Sequence, residues 1–460
     1  MNSRGITWRT GYNLRRTMTM IKTVHRFLPM FLAACLLTSC TAFFSKDRRP
    51  NFIIIISDDQ RIGTMQFMPQ TQALIFGQGV DFAQGFDTTP LCCPSRASIF
   101  TGLLAHNDGV ETNEDKLNDK YQTVIMALHK NGYYTGLVGK YLNSWLGEPR
   151  PEFDSWVSWP GSVASYQDPN INVNGQWGIH PGYITDIENE YVMQFLDQAS
   201  KQSKPFLLIY AARAPHAPAV PAPEDKNLLQ NLPPYRPPSF NEADVSNKPG
   251  SISSIPPMTP KQIAANDDFR RRQILTLFSL DRNVGNIVTK LQEMGQLDNT
   301  AIFYISDNGM QWGEHRLSAD KAAEYEESVR VPFAMRYPPL VSKPYIENHL
   351  VGNIDIAPTI YDLAGISLPA NMDGTSLVKL LTGGAWRDHI LIESWPERGY
   401  WAGIRTDRYV YVETQDDMSE LYDLQADPFE LNNLINNPQY QSVITDLKAK
   451  LQTEKQPRSP

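Results

Sequence analysis

Asn51-Phe52-Ile53-Ile54-Ile55-Ile56-Ser57 runs directly into Asp58-Asp59. A continuous apolar, β-branched run without polar alternation reads as a strand buried on both faces, the habit of a parallel sheet. Thr300-Ala-Ile-Phe-Tyr-Ile-Ser306 is a second run of this kind, and it ends in Asp307-Asn308-Gly309. In open α/β sheets ligands gather outside the carboxyl ends of the strands. Two such ends side by side would gather three carboxylates and one amide oxygen. Close carboxylates repel one another unless a cation compensates. All-oxygen ligation by Asp58, Asp59, Asp307 and Asn308 selects a hard ion, Ca²⁺ or else Mg²⁺. No His/Cys cluster of zinc spacing accompanies them. Asp58-Asp59 taken alone would read as a turn with a helix cap; the matching second strand end favours the metal.

Outward from these strands the pattern alternates. Gln122 to Lys130 reads as a helix stopped by Asn131-Gly132, and Tyr134 to Val138 as a strand. Ile187 to Ser200 is an amphipathic helix, Pro205 to Tyr210 a further buried strand, and 213–260 a proline-rich irregular loop. A long helix is expected over Lys261 to Met294. Alternation up to about residue 375 predicts an α/β sandwich with a large, mostly parallel central sheet flanked by helices, here residues 48–375. His389 to Glu393 and Trp401 to Glu413 read as short antiparallel strands, and a last helix follows Asp427-Pro428. Residues 376–460 are therefore expected to form a small α+β subdomain. No internal repeat is found.

The first 40 residues differ from the rest. Six basic residues and no acid precede an apolar run from Phe27 to Leu37. That run is shorter than the roughly 20 residues a membrane span needs, and its flanks match an export signal. Leu37-Thr38-Ser39-Cys40 resembles a bacterial lipobox, so a lipid anchor at Cys40 and a periplasmic or outer-surface location are expected. Loss of residues 1–39 takes the formal charge from −8 to −14. So acidic a body opposes nonspecific nucleic-acid binding, and an anionic substrate would need local cations. Two of the four cysteines lie in this segment. Cys92 and Cys93 are adjacent, with Cα atoms about 3.8 Å apart, which strains a disulfide.

Those two cysteines open Cys92-Cys93-Pro94-Ser95-Arg96-Ala-Ser-Ile-Phe-Thr-Gly102. Pro94 suits a first helical turn and Gly102 the position past the end. Cys92 then sits at a helix N-terminus, where dipole and free N–H groups favour an anion, with Arg96 one turn on. A thiolate nucleophile and a buried structural cysteine are both open at this point.

The motif resembles the signature of type I sulfatases. The resemblance runs from Pro50 to about Leu434 and takes in Asp58-Asp59, Gly139-Lys140, Ala214-Pro-His216, Ser306-Asp-Asn-Gly309, Gly313-Glu-His315, Lys321 and Glu420-Leu-Tyr-Asp-Leu. Gly139-Lys140-Tyr-Leu-Asn143 and Phe240 to Ser246 are most similar to the N-acetylglucosamine-6-sulfatase branch. The resemblance implies an alkaline-phosphatase-like sandwich and oxidation of Cys92 to formylglycine by a formylglycine-generating enzyme. It implies one divalent ion on Asp58, Asp59, Asp307, Asn308 and residue 92. It further implies anion binding by Arg96, Lys140 and Lys321, and a proton donor at His216 or His315. The implied substrate is a sulfated carbohydrate, 6-O-sulfated N-acetylglucosamine being the foremost candidate. Leu142 stands where many sulfatases have a histidine; Asn143 is the nearest polar substitute. A phosphatase or phosphonate-ester hydrolase of the same fold, or a surface glycan-binding protein, are the competing readings. Trp145, Trp156, Trp159 and Trp177 read either as sugar platforms or as core.

Overall fold

A computed structural model describes Met1 and residues 49–161, 164–396 and 399–457. The expected export signal and Cys40 lie outside the described residues. Two compact units divide the chain, Met1–Arg48 and Arg49–Pro460, and every described element belongs to the second. None of the described helices is long and apolar enough to cross a membrane.

The buried isoleucine run occupies the middle of a ten-stranded sheet. Its strands run in the order Tyr345–Glu347, Val80–Phe82, Phe333–Arg336, Thr300–Ser306, Asn51–Ser57, Phe206–Ala211, Tyr134–Gly139, Ser155–Ser158, Asn170–Val173 and Gln176–Ile179. Asn51–Ser57 pairs in parallel with both Thr300–Ser306 and Phe206–Ala211, and Tyr134–Gly139 and Ser155–Ser158 continue the parallel core. The outer ladders include antiparallel pairs at Phe333–Arg336 and at the far edge.

Burial on both faces explains the lack of alternation. Phe52, Ile54 and Ile56 point into one core, Ile53 and Ile55 into the other. The first core is closed by the helices Cys92–Thr101, Val124–Lys130 and Ile356–Ala364. The second is closed by Ile184–Ser200 and by the long helix Pro260–Glu293. Burying one isoleucine contributes about 1.5–3 kcal/mol, and truncating one to alanine here would cost about 2–5 kcal/mol. The long helix starts where its capping chemistry says. Thr259 accepts from the Gln262 backbone while the Gln262 side chain accepts from Thr259, satisfying donors a helix start leaves orphaned.

Register carries the fold toward its site. Ser57 pairs with Ser306, so Asp58 and Asp307 leave the sheet side by side. The Asp307 backbone N–H donates to Ser57 O at 3.0 Å.

The C-terminal part forms its own four-stranded antiparallel sheet, His389–Ser394, Trp401–Thr406, Tyr409–Thr414 and Glu420–Asp423. The stretch Trp401 to Glu413, expected among the short antiparallel strands, supplies two of them. One face carries the helix Gln441–Glu454, through Leu447 and Leu451. The other packs Ile392, Trp401 and Val412 onto Phe86, Val329 and Leu350. Residues 213–259 are irregular apart from one helical turn, Gly250–Ser253, the long helix already beginning at Pro260.

Candidate active site

Three carboxylates, three cations and one thiol meet beyond the strand ends, all but Lys321 fully or almost fully buried. Asp58 and Asp59 follow the first strand. Asp59 holds a left-handed φ of 69°, a conformation Asp tolerates better than most residues. Its backbone N–H donates to Asp307 Oδ1 at 3.0 Å, and Asn308 Nδ2 donates to Asp59 Oδ1 at 2.7 Å. The Asn308 Oδ1 atom is buried with no hydrogen-bond partner.

Cys92 is the first residue of its helix, whose ten residues are all buried. Gly102 closes it in the left-handed conformation, as the sequence implied. Cys92 Sγ lies 3.5 Å from Asp58 Oδ1 and 3.9 Å from Asp59 Oδ1, with Lys321 Nζ at 2.9 Å. Lys321 also donates to Asp59 Oδ1. Asn113 Oδ1 accepts from the Cys93 N–H at 3.0 Å and steadies this first turn.

Arg96, one turn on, donates through Nε to Asp307 Oδ2 at 2.8 Å and through Nη1 to Lys140 O at 2.7 Å. Its Nη2 is buried without a hydrogen-bond partner, 3.8 Å from Asp58 Oδ2. Lys140 Nζ donates to Asp58 Oδ2 at 2.9 Å. Gly139 aims that lysine: at its φ of +114° a Cβ would meet Ala211 O at 1.9 Å, so only glycine fits. Gly309 is equally confined, by Glu327 O at 2.0 Å.

His216 Nε2 stands 3.7 Å from Asp59 Oδ2. Donor atoms of Asp58, Asp59, Cys92 and His216 all lie within 4.8 Å of one another. The ring is held by Arg213 Nη1 at 3.0 Å from Nδ1, and its carbonyl accepts from Tyr166 OH at 2.7 Å. Arg213 and Asn113 had no marker in the sequence beyond nearness to a motif.

His315 does not join the group. Its ring is fully buried, stacked on Tyr325 at 3.9 Å, with Nδ1 2.8 Å from Glu242 Oε2. The expectation that His216 or His315 protonates a leaving group therefore narrows to His216. Leu142 is a buried residue of the first core. Asn143 Oδ1 is buried without a partner. Trp156 and Trp159 are core residues, while Trp177 is 41% exposed.

Charge explains the protonation states. Burial raises Asp58, but Lys140, His216, Arg96 and Lys321 outweigh it and hold the carboxyl well below the usual range. Burial also opposes ionisation of Asp59, and Lys321 and His216 overcome it. Asp307 goes the other way. Burial and the nearby Asp58 push it up to about 6, with Arg96 and Lys140 only partly offsetting them. Burial lifts the Cys92 thiol to about 12 against the pull of Lys140 and Lys321. The unmodified thiol is thus protonated near neutrality, a poor nucleophile. Burial lowers His216, against the pull of Asp58 and Asp59.

The residues fit a hard cation. Their donors are carboxylate and amide oxygens, and the orphaned Asn308 Oδ1 would otherwise cost about 1–3 kcal/mol. Three carboxylates already balance Arg96, Lys140 and Lys321, so a divalent ion leaves the pocket net positive and suited to an anion.

Residues 50–366 match the sulfatase family model, and residues 313–457 match the C-terminal model of N-sulphoglucosamine sulphohydrolase. The chain is 34% identical to human N-acetylglucosamine-6-sulfatase, covering 75% of this chain and 67% of that protein. It is 28% identical to an N-acetylglucosamine-6-O-sulfatase of Bacteroides thetaiotaomicron, covering 92% and 90%. An extracellular sulfatase homologue of Drosophila melanogaster is 34% identical over 77% of this chain. The chain spans only 33% of that protein and 54% of a Caenorhabditis elegans counterpart. A solved structure of a protein in complex with its substrate D-glucosamine-2-N,6-O-disulfate superimposes with a TM-score of 0.80 at 25% identity, covering 88% of this chain and 97% of the other. With Asp58-Asp59, Asp307-Asn308, the Cys92 helix and these likenesses in agreement, the chain belongs to the sulfatase family.

Proposed function

We propose that this protein is an exported sulfuric ester hydrolase that releases sulfate from a sulfated sugar, with 6-O-sulfated N-acetylglucosamine as its target. The observation that carries the reading is the meeting of Cys92, Asp58, Asp59 and Lys321 at one point. The N-acetylglucosamine-6-sulfatase relatives and the disulfated-glucosamine complex support the sugar.

In this reading a maturation enzyme oxidises Cys92 to formylglycine, whose hydrate carries two hydroxyls on one carbon. A divalent ion, Ca²⁺ or Mg²⁺, held by Asp58, Asp59, Asp307 and Asn308, would supply Lewis acidity toward an oxyanion. Arg96, whose Nη2 is buried without a hydrogen-bond partner, would donate to a hydroxyl on residue 92. One hydroxyl gives its proton to solvent water and its oxygen bonds to sulfur as the S–O bond to the sugar breaks. Lys140 and Lys321 stabilise the charge that builds on the sulfuryl oxygens. His216 gives the departing sugar oxygen its proton. The second hydroxyl then gives its proton to the neutral His216, the C–O bond to sulfate breaks, and the aldehyde is restored. A serine or cysteine has no second hydroxyl and no such exit.

The test is a panel of sulfated mono- and oligosaccharides offered to matured, ion-loaded protein. Release of sulfate from 6-O-sulfated N-acetylglucosamine in preference to other positions is expected. Turnover of sulfated phenols with none of any sulfated sugar would overturn the sugar assignment. Export with a lipid anchor at Cys40 is part of the same proposal; membrane fractionation of wild type and Cys40→Ser tests it, the variant being expected to lose its membrane association.

A further inference from the structure

Outside the Cys92 pocket, a second buried group of donors surrounds His315. Its Nδ1 faces Glu242 Oε2 at 2.8 Å. With Glu242 ionised, its carboxylate accepts, Nδ1 carries the proton and Nε2 presents a lone pair. Nε2 has no hydrogen-bond partner, and the same holds for Glu327 Oε2 and Glu430 Oε1. These residues are 0%, 9% and 1% exposed. One donor atom from each lies within 4.8 Å of the others. Lone pairs converging in a dry interior repel, and an ion at their centre reverses the sign of that energy.

The neighbouring cations are committed elsewhere, Arg61 Nη1 donating to Glu314 Oε1 at 2.7 Å. Lys248 Nζ donates to Glu430 O at 2.6 Å and to Tyr422 OH at 3.0 Å, and lies 3.9 Å from Glu242. It reaches none of the three orphaned atoms.

We propose that His315, Glu327 and Glu430 bind a second divalent cation, separate from the one at Asp58 and Asp307. One imidazole nitrogen and two carboxylates favour Zn²⁺ or a similar first-row ion over Ca²⁺. The two glutamates balance its charge. Glu242 plays the part of the carboxylate that orients a ligating histidine through its other nitrogen. The ion fastens three distant segments. Glu327 follows the strand-end turn, its backbone O accepting from Met310 N at 2.8 Å. Glu430 comes from the C-terminal part, and its Oε2 accepts from Glu326 N at 3.0 Å. A clamp here holds the C-terminal part against the loop behind Asp307-Asn308.

The experiment is elemental analysis of the purified full-length protein, loaded with Zn²⁺ and Ca²⁺ and then dialysed, together with anomalous scattering at the zinc edge from its crystals. The expected result is one zinc per chain, with its peak at His315 Nε2, and one calcium. A Glu327→Gln/Glu430→Gln double variant, nearly isosteric, is expected to lose the zinc, keep the calcium and unfold at a lower temperature. Loaded wild type without zinc, a zinc peak only at Asp58, or a folded double variant with full zinc would each overturn the proposal. If the variant does not fold, the wild-type map decides alone.

Discussion

His216 and His315 each follow a short motif that resembles a sulfatase signature, yet they finish in opposite settings. His216 is partly open and stands beside Asp59. His315 is sealed behind the strand-end turn, bonded to a glutamate 73 residues away. At the first site the carboxylates are matched by Arg96, Lys140 and Lys321; at the second, His315 Nε2, Glu327 Oε2 and Glu430 Oε1 have no hydrogen-bond partner. The comparison teaches that a motif places a residue in the chain, while its chemistry depends on which distant segments close around it.

The largest effect should separate the two regions outright. Cys92→Ala removes the covalent route and is expected to lower sulfate release by roughly 10⁴-fold or more while leaving the melting temperature within a few degrees. A fall below threefold would break the contrast. Lys140→Met comes next. It removes a buried cation from Asp58 and from the developing sulfuryl charge, and kcat/KM should fall by about 10²–10³-fold.

His216→Gln should lower kcat by about 10²-fold for sugar sulfates and far less for aryl sulfates, whose leaving groups need no proton. Equal losses on both substrate types would show that His216 only holds structure. His315→Phe keeps a ring on Tyr325 and should act in the other direction: thermal unfolding moves down, and the loss of kcat/KM in the folded fraction is much smaller than for His216→Gln.

The smallest effect concerns pH. Asp307 is pushed up to about 6, so it takes a proton as pH falls through that value. Ion affinity at the Cys92 pocket should therefore fall by up to roughly tenfold per pH unit below about 6. The sign for stability is opposite. In ion-free protein a raised carboxyl favours the folded state when protonated, so its contribution is present below the ordinary carboxylate range and lost as pH rises through about 6. Calcium titrations and thermal melts from pH 5 to 8 measure both. Ion affinity independent of pH in that window would remove Asp307 from the ligand set.

Much of the centre was legible because burial on both faces leaves a sequence trace. Asn51–Ser57 and Thr300–Ser306 emerged with the bounds the apolar runs predict. Their acidic ends were legible for the same reason, as polar residues directly after a buried strand. Cys92 at a helix start followed from Pro94 and Gly102, although the helix begins two residues before the proline. Lys321 and His216 had no such trace and were placed by resemblance alone. Arg213, which orients His216, and Asn113, which steadies the Cys93 amide, act through contacts made by the tertiary fold. Leu142 is buried in the first core, so its departure from the common histidine reads as packing.

The most direct measurement joins mass spectrometry of the peptide carrying residue 92 to sulfate release by the same protein sample. Across preparations matured to different extents, a loss of about 18 Da at residue 92 should rise in proportion to turnover. Full turnover by protein whose residue 92 is still an intact thiol would contradict the account, as would fully converted, ion-loaded protein that releases no sulfate.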